Sequence, residues 1–176
     1  MAALALSCAG AQAAVYTWSS HAPFETSAGI GGIVGPGTFS DFWTFSISDS
    51  QIIEKSAVVA NNNPPAFAIG QGSYSLYSYG ADNIFGNGDD ALLNGWNFDG
   101  TTGSTEHAIG LNAGNYYFNV VGNATGTIGG IYAMSSTLSP VPTPESFGLF
   151  VAGLAVFGLV ARRRRRAAEP PKHSPA

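Results

Sequence analysis

Between Asp82 and Asp90 the chain gathers Asp82, Asn83, Asn87, Asp89 and Asp90 around Gly86 and Gly88. Closely spaced oxygen ligands on a tightly turning backbone are what a calcium loop requires. The run lacks a glutamate at the twelfth position and flanking helices, so it does not fit the EF-hand template. The same residues also describe an Asn/Asp/Gly turn between two strands, with its carboxylates in water. Asp41 poses a different question, because it stands among Phe39, Trp43 and Phe45. A carboxylate on an apolar face is costly unless it accepts backbone N–H groups or meets a cation. It reads either as a structural Asp tying down the start of a strand or as a functional carboxylate.

Catalytic patterns are scarce. His21 and His107 lie far apart, and no Gly-x-Ser-x-Gly elbow, His-x-x-x-His pair or phosphate-binding glycine loop occurs. Glu106 and His107 are neighbours, and adjacent strand residues point to opposite faces. Asp41, Asp99 or Glu106 could supply a carboxylate pair for glycoside cleavage, but nothing in the spacing selects a pair. Tyr74, Tyr77, Tyr79 and Trp96 offer faces on which sugar rings could stack. In strand register Tyr77 and Tyr79 share a face and Tyr74 lies opposite, so they do not form one platform. Packing of these rings in a core is the competing explanation.

The elements that must carry these residues read as strands. From Ala14 to Pro140 the chain is rich in Gly, Asn, Ser, Thr and aromatics, a composition that favours strands and turns. Phe39–Ser48 alternates most clearly: Phe39, Asp41, Trp43, Phe45 and Ile47 face one side, and Phe42, Thr44, Ser46 and Ser48 the other. Further strands are expected at Ile52–Ala60, Ala66–Ile69, Ser73–Tyr79, Leu92–Phe98, Ala108–Leu111, Tyr116–Val121 and Ile131–Leu138, punctuated by Gly, Pro and Asn clusters. No helical periodicity is sustained before residue 146. The expected fold is all-β: a single β-sandwich or jelly-roll-like domain, with an N-terminal signal segment and a C-terminal single transmembrane helix.

Charge is segregated. Nine acids (Glu25, Asp41, Asp49, Glu54, Asp82, Asp89, Asp90, Asp99, Glu106) stand against Lys55 alone between Ala14 and Pro140. Such a body argues against nucleic acid as a partner. The single cysteine, Cys8, lies in the N-terminal apolar segment, so the body has no disulfide framework or thiolate metal site. Residues 1–13 end in Ala11-Gln12-Ala13, the small-x-small form of a signal-peptidase site, and cleavage would leave Ala14 first. No basic residue precedes this segment, which points to an N-terminally truncated signal.

At the other end Phe147–Ala161 carries no charge and is followed by Arg162, Arg163, Arg164, Arg165 and Arg166. As a helix the apolar run covers only ~22 Å, short of the ~30 Å hydrocarbon core, and the arginines would hold its end in the cytoplasm. Val141-Pro142-Thr143-Pro144-Glu145-Ser146, the apolar run and the arginine block together resemble the PEP-CTERM sorting signal of Gram-negative, exopolysaccharide-producing bacteria. Pro144 and Glu145 match its first two positions, Ser146 stands where the second proline usually stands, and Pro142 is common upstream. The resemblance implies recognition by exosortase, a membrane-embedded protease, with the membrane anchor transient.

Phe39-Ser40-Asp41-Phe42-Trp43 is similar to the signature of the FxDxF group of PEP-CTERM proteins, with Trp43 replacing the second Phe, and 111–133 looks like that group's final hairpin. The expected organisation is a signal at 1–13, a β-sandwich body at 14–140, a sorting signal at 141–166 and a disordered tail at 167–176. The resemblance implies an exported surface or extracellular-matrix protein, passing through an inner-membrane intermediate; the scarcity of motifs implies no catalytic residues, and no cofactor is expected beyond the calcium that Asp82–Asp90 could hold. A carbohydrate-binding or adhesive module in exopolysaccharide and a secreted hydrolase are the alternatives.

Overall fold

In the computed structural model of the chain the described residues are 12–28, 31–49, 52–100 and 105–141, with Leu154 and Phe157. The chain divides into a unit ending at Pro140 and a second beginning at Val141. The first is all-β. Its strands are β1 Gln12–Ser20, β2 Phe24–Thr26, β3 Ile33–Val34, β4 Gly37–Ile47, β5 Ile52–Ala60, β6 Ile69–Ser78, β7 Ala91–Phe98, β8 His107–Leu111, β9 Gly114–Ala124 and β10 Gly130–Pro140. In the second unit Leu154 and Phe157 are helical. No helix among the described residues is long and apolar enough to cross a membrane. The sorting element, most of the apolar run and the arginines lie outside the described residues, as do residues 1–11 with Ala11.

Two sheets carry the first unit, in the orders β1-β4-β9-β6-β7 and β2-β10-β5-β8, and β3 also pairs with β10. Alternation builds their shared core. On β4 the expected face is the buried one: Phe39, Asp41, Trp43, Phe45 and Ile47 point inward. From the opposite sheet Tyr132 stacks on Phe39 with ring centroids 5.7 Å apart. Trp43, Leu76, Phe118 and Val120 have no exposed surface, and Tyr74 and Met134 are nearly as enclosed. The result is a two-layer sandwich, closed by inward faces that neither sheet could leave in water.

Two expectations need correction. The 111–133 stretch is not a hairpin: β9 pairs with β4 and β6, whereas β10 pairs with β5, β2 and β3. The Thr125–Gly129 connection crosses between the sheets, held by Thr127 N to Pro65 O at 2.8 Å and Thr125 N to Ala68 O at 2.8 Å. Gly129 is needed there, because its φ is +141° and a Cβ would come 2.0 Å from the Val34 carbonyl oxygen. The second correction concerns strand extent. β6 begins at Ile69, so Ala66–Ile69 and Ser73–Tyr79 are not separate strands, and Phe67 contributes only isolated bridges to Asn63 and Gly129.

Candidate functional site

A polar assembly in the core joins β5, β10 and the connection that follows β1. Glu54 on β5, wholly unexposed, accepts a hydrogen bond from Ser136 Oγ at 2.8 Å and another from Ser56 Oγ at 3.3 Å. Ser136 Oγ in turn lies 2.8 Å from His21 Nε2, and His21 Nδ1 meets the Ala22 carbonyl. A carbonyl only accepts, so Nδ1 carries a proton. If His21 were neutral and Glu54 ionised, the single Ser136 hydrogen would face two acceptors. The chain of groups is therefore satisfied only with one additional proton, on Glu54 or on His21 Nε2. Burial decides between them. It raises the Glu54 carboxyl to about 7 against the two serine bonds, and it lowers the His21 imidazole against Ala22 and Glu25.

This is not a hydrolase triad. The serine stands between the acid and the imidazole rather than at the end of the relay, and it is fully buried. Just outside, a cleft of about 270 Å³ is lined by His21, Pro23, Ile47, Asp49, Ile52 and Leu138.

Asp41 anchors a second buried chain. Trp43 Nε1 donates to Tyr132 Oη at 3.0 Å, Tyr132 Oη donates to Asp41 Oδ2 at 2.9 Å, and the Ala14 N–H donates to Asp41 Oδ1 at 3.2 Å. The carboxylate is 2 % exposed, and burial pushes it above the usual carboxylate range despite the Tyr132 and Ala14 bonds. Of the family-signature residues, Phe39, Asp41 and Trp43 thus share one inward face. Tyr16 stacks on Trp43 at 4.4 Å.

The Asp82–Asp90 residues come together as a self-bonded turn between β6 and β7. Asp90 accepts from Gly80 N at 3.1 Å and Gly86 N at 2.8 Å, and Asp82 accepts from Ile84 N at 3.0 Å and Asn87 Nδ2 at 2.6 Å. Asn87 Oδ1 receives Asp89 N, Asp89 Oδ2 receives Asp82 N at 3.5 Å, and Asn83 Oδ1 receives Asn115 Nδ2 at 2.8 Å. Desolvation raises Asp90, but bonds from Gly80, Gly86, Tyr117 and Asn87 outweigh it and hold its carboxyl below the ordinary value. Among the described residues no group of three or more His, Cys, Asp or Glu could hold a metal ion. The carboxylate oxygens of Asp82, Asp89 and Asp90 already serve N–H donors of their own turn.

The aromatic stacking platform does not assemble. Tyr74 is 1 % exposed and donates to the Ser56 carbonyl oxygen at 3.2 Å. Trp96 packs on Tyr74 with centroids 5.0 Å apart and stacks on His107 at 5.0 Å, and Tyr74 and His107 are themselves 6.2 Å apart, so the three rings form one cluster. Tyr77 stacks on Tyr117 at 4.9 Å, and Phe85 packs on Tyr117 and Phe42. A more open feature is a cleft of about 330 Å³ beside β6, β7 and β9, whose lining includes Gln71, Ser73, Asn97 and Asp99. Glu106 is exposed, while His107 is taken up by its stack.

No protein-family model matches the sequence, and no curated protein matches it. Among solved structures the chain is similar to the pre-peptidase C-terminal domain of collagenase from Bacillus anthracis, at 16% identity and a TM-score of 0.36, covering 71% of this chain and 94% of that one. It is also similar to CorA, a surface-associated copper-binding protein important in copper acquisition by Methylomicrobium album BG8. That likeness has 7% identity and a TM-score of 0.39, and covers 73% of this chain and 100% of that one.

Proposed function

We propose that the chain is an exported, non-catalytic surface or extracellular-matrix protein of a Gram-negative, exopolysaccharide-producing bacterium, processed by an exosortase-like protease. The observation that carries this reading is where the sandwich ends. Its last strand closes at Pro140, paired with Ile52, and Pro142, Pro144 and Glu145 follow at once. A cut after the sorting element leaves all ten strands on the released side. The acidic body with its single Lys55 suits neither nucleic acid nor an anionic membrane as a lasting partner. Among the described residues, Ser136 is the serine bonded to both an imidazole and a carboxyl, and it is fully buried.

The test is expression of the full chain in a host with and without an exosortase. We expect a released body without the arginine block only where the protease is present, and retention of the full mass in Glu145→Ala. An unprocessed chain in the exosortase-positive host overturns the reading. The adhesive alternative draws support from the Gln71–Asn97 cleft, whose amides and hydroxyl match the hydrogen-bonding groups of a sugar. Retention of the released body on the host exopolysaccharide, lost in Asn97→Ala, would favour it.

A further inference from the structure

Asp41 is a buried carboxylate whose partners among the described residues are a phenol and a backbone amide, with no cation. The amide is that of Ala14, the residue placed first by cleavage after Ala11-Gln12-Ala13. We propose that Asp41 is the internal counter-ion of the α-ammonium created at Ala14 when the signal segment is removed. The inference rests on reading the N-terminal segment as an export signal.

In the uncut chain the Ala14 amide nitrogen stands in for that ammonium, and it already lies 3.2 Å from Asp41 Oδ1. Hydrolysis of the Ala13–Ala14 bond consumes one water. The new carboxyl stays with Ala13, and the new amine on Ala14 takes up a proton, because α-amines titrate near 7.7–8.0. An ammonium offers three donors where the amide offers one, so the Asp41 contact survives and becomes an ion pair. Gln12 and Ala13 are exposed and Ala14 is half-buried, so the cut falls where β1 passes from solvent into the sandwich.

Cleavage removes the Gln12↔Phe39 and Ala13↔Ser40 pairings and leaves β1 from Ala14↔Asp41 onward. The acceptor is fixed in advance. Tyr132, itself bonded by Trp43, holds Oδ2 and so turns Oδ1 toward β1. The other titratable groups facing Asp41 are Tyr16 from β1 and Tyr132 from β10. Burial raises both phenols, and Asp41 raises them further, so neither supplies charge at neutral pH. The ammonium would complete a site that the precursor leaves uncompensated.

The full chain is exported in a host with signal peptidase, and the first residue of the product is read by mass spectrometry. Ala14 is expected. Any other first residue removes the premise and the proposal with it, while leaving the C-terminal sorting reading intact. In the product beginning at Ala14, the α-amine is titrated by NMR, and its rate of acylation by acetic anhydride is followed at pH 8. We expect a midpoint at least about one unit above the ordinary range, and acylation about tenfold slower than in the same protein unfolded in guanidinium. Asp41→Asn should return both to ordinary values. The folded-against-unfolded comparison needs no variant, so it stands even if Asp41→Asn does not fold. An ordinary midpoint with equal acylation rates overturns the proposal.

Discussion

Glu54 and His21 make the stability of the sandwich depend on pH in opposite directions. The folded state holds the Glu54 carboxyl at about 7, above its usual 4.5, so its contribution is fully present below pH 4.5 and is lost as pH rises through 7. At pH 8 the loss is at most about 3 kcal/mol, since each unit is worth about 1.4 kcal/mol. His21 is held below 6.5, so its contribution is lost as pH falls below that value. Most of that loss falls between pH 4.5 and 7, where His21 opposes it, so urea unfolding of the wild type should show only the remainder, a decline of about 1 kcal/mol, between pH 6.5 and 8. Glu54→Gln keeps hydrogen-bonding capacity toward Ser136 and Ser56 without a charge, and its stability should be flat across that window. A wild type as flat as the variant would refute the shared-proton account. The clue to this network is present in the sequence. Glu54 and Ser56 have the same parity as Ile52, Val58 and Ala60, as Asp41 does among Phe39, Trp43 and Phe45. Their partners are not legible, because Ser136 lies 82 residues from Glu54 and 115 from His21.

Among the elements, β4, β5 and β7 lie close to where alternation places them, and β9 and β10 extend further at both ends than expected. The shorter β2 and β3 carry too few residues for periodicity to register, and only their pairing with β10 defines them. β1 was hidden for another reason. Its first residues overlap the expected signal segment, and its Val15 side is exposed while Trp18 is buried. Which strands adjoin is set by loop paths and side-chain fit across the layers, so β1 beside β4, in parallel, leaves no local trace. The Asp82–Asp90 residues were legible as a cluster, and they form a self-bonded turn between β6 and β7. Its carboxylates bind backbone N–H groups, which a cation would have to displace. Melting with calcium and with chelator should give the same midpoint. A higher midpoint in calcium would restore the metal, because a ligand bound only by the folded state must raise it.

For the whole molecule, β10 matters most. It comes last in the unit and lies between β2 and β5, with β3 also on it, so the second sheet has no centre without residues 130–140. A chain ending at Gly129 should show no cooperative thermal transition, and a sharp one would mean that the β1-β4-β9-β6-β7 sheet folds alone. The same order has a temporal meaning for a protein that passes through a pore from its N-terminus. Everything up to Gly129 can emerge while the hub strand is still inside, and the unit cannot lock until Pro140 is through. If the signal segment is removed as proposed, Ala14 would until then not be held against Asp41, and the peptidase would meet an extended chain. Vectorial emergence would thus keep the cut accessible for as long as it is needed, with no separate factor to delay folding.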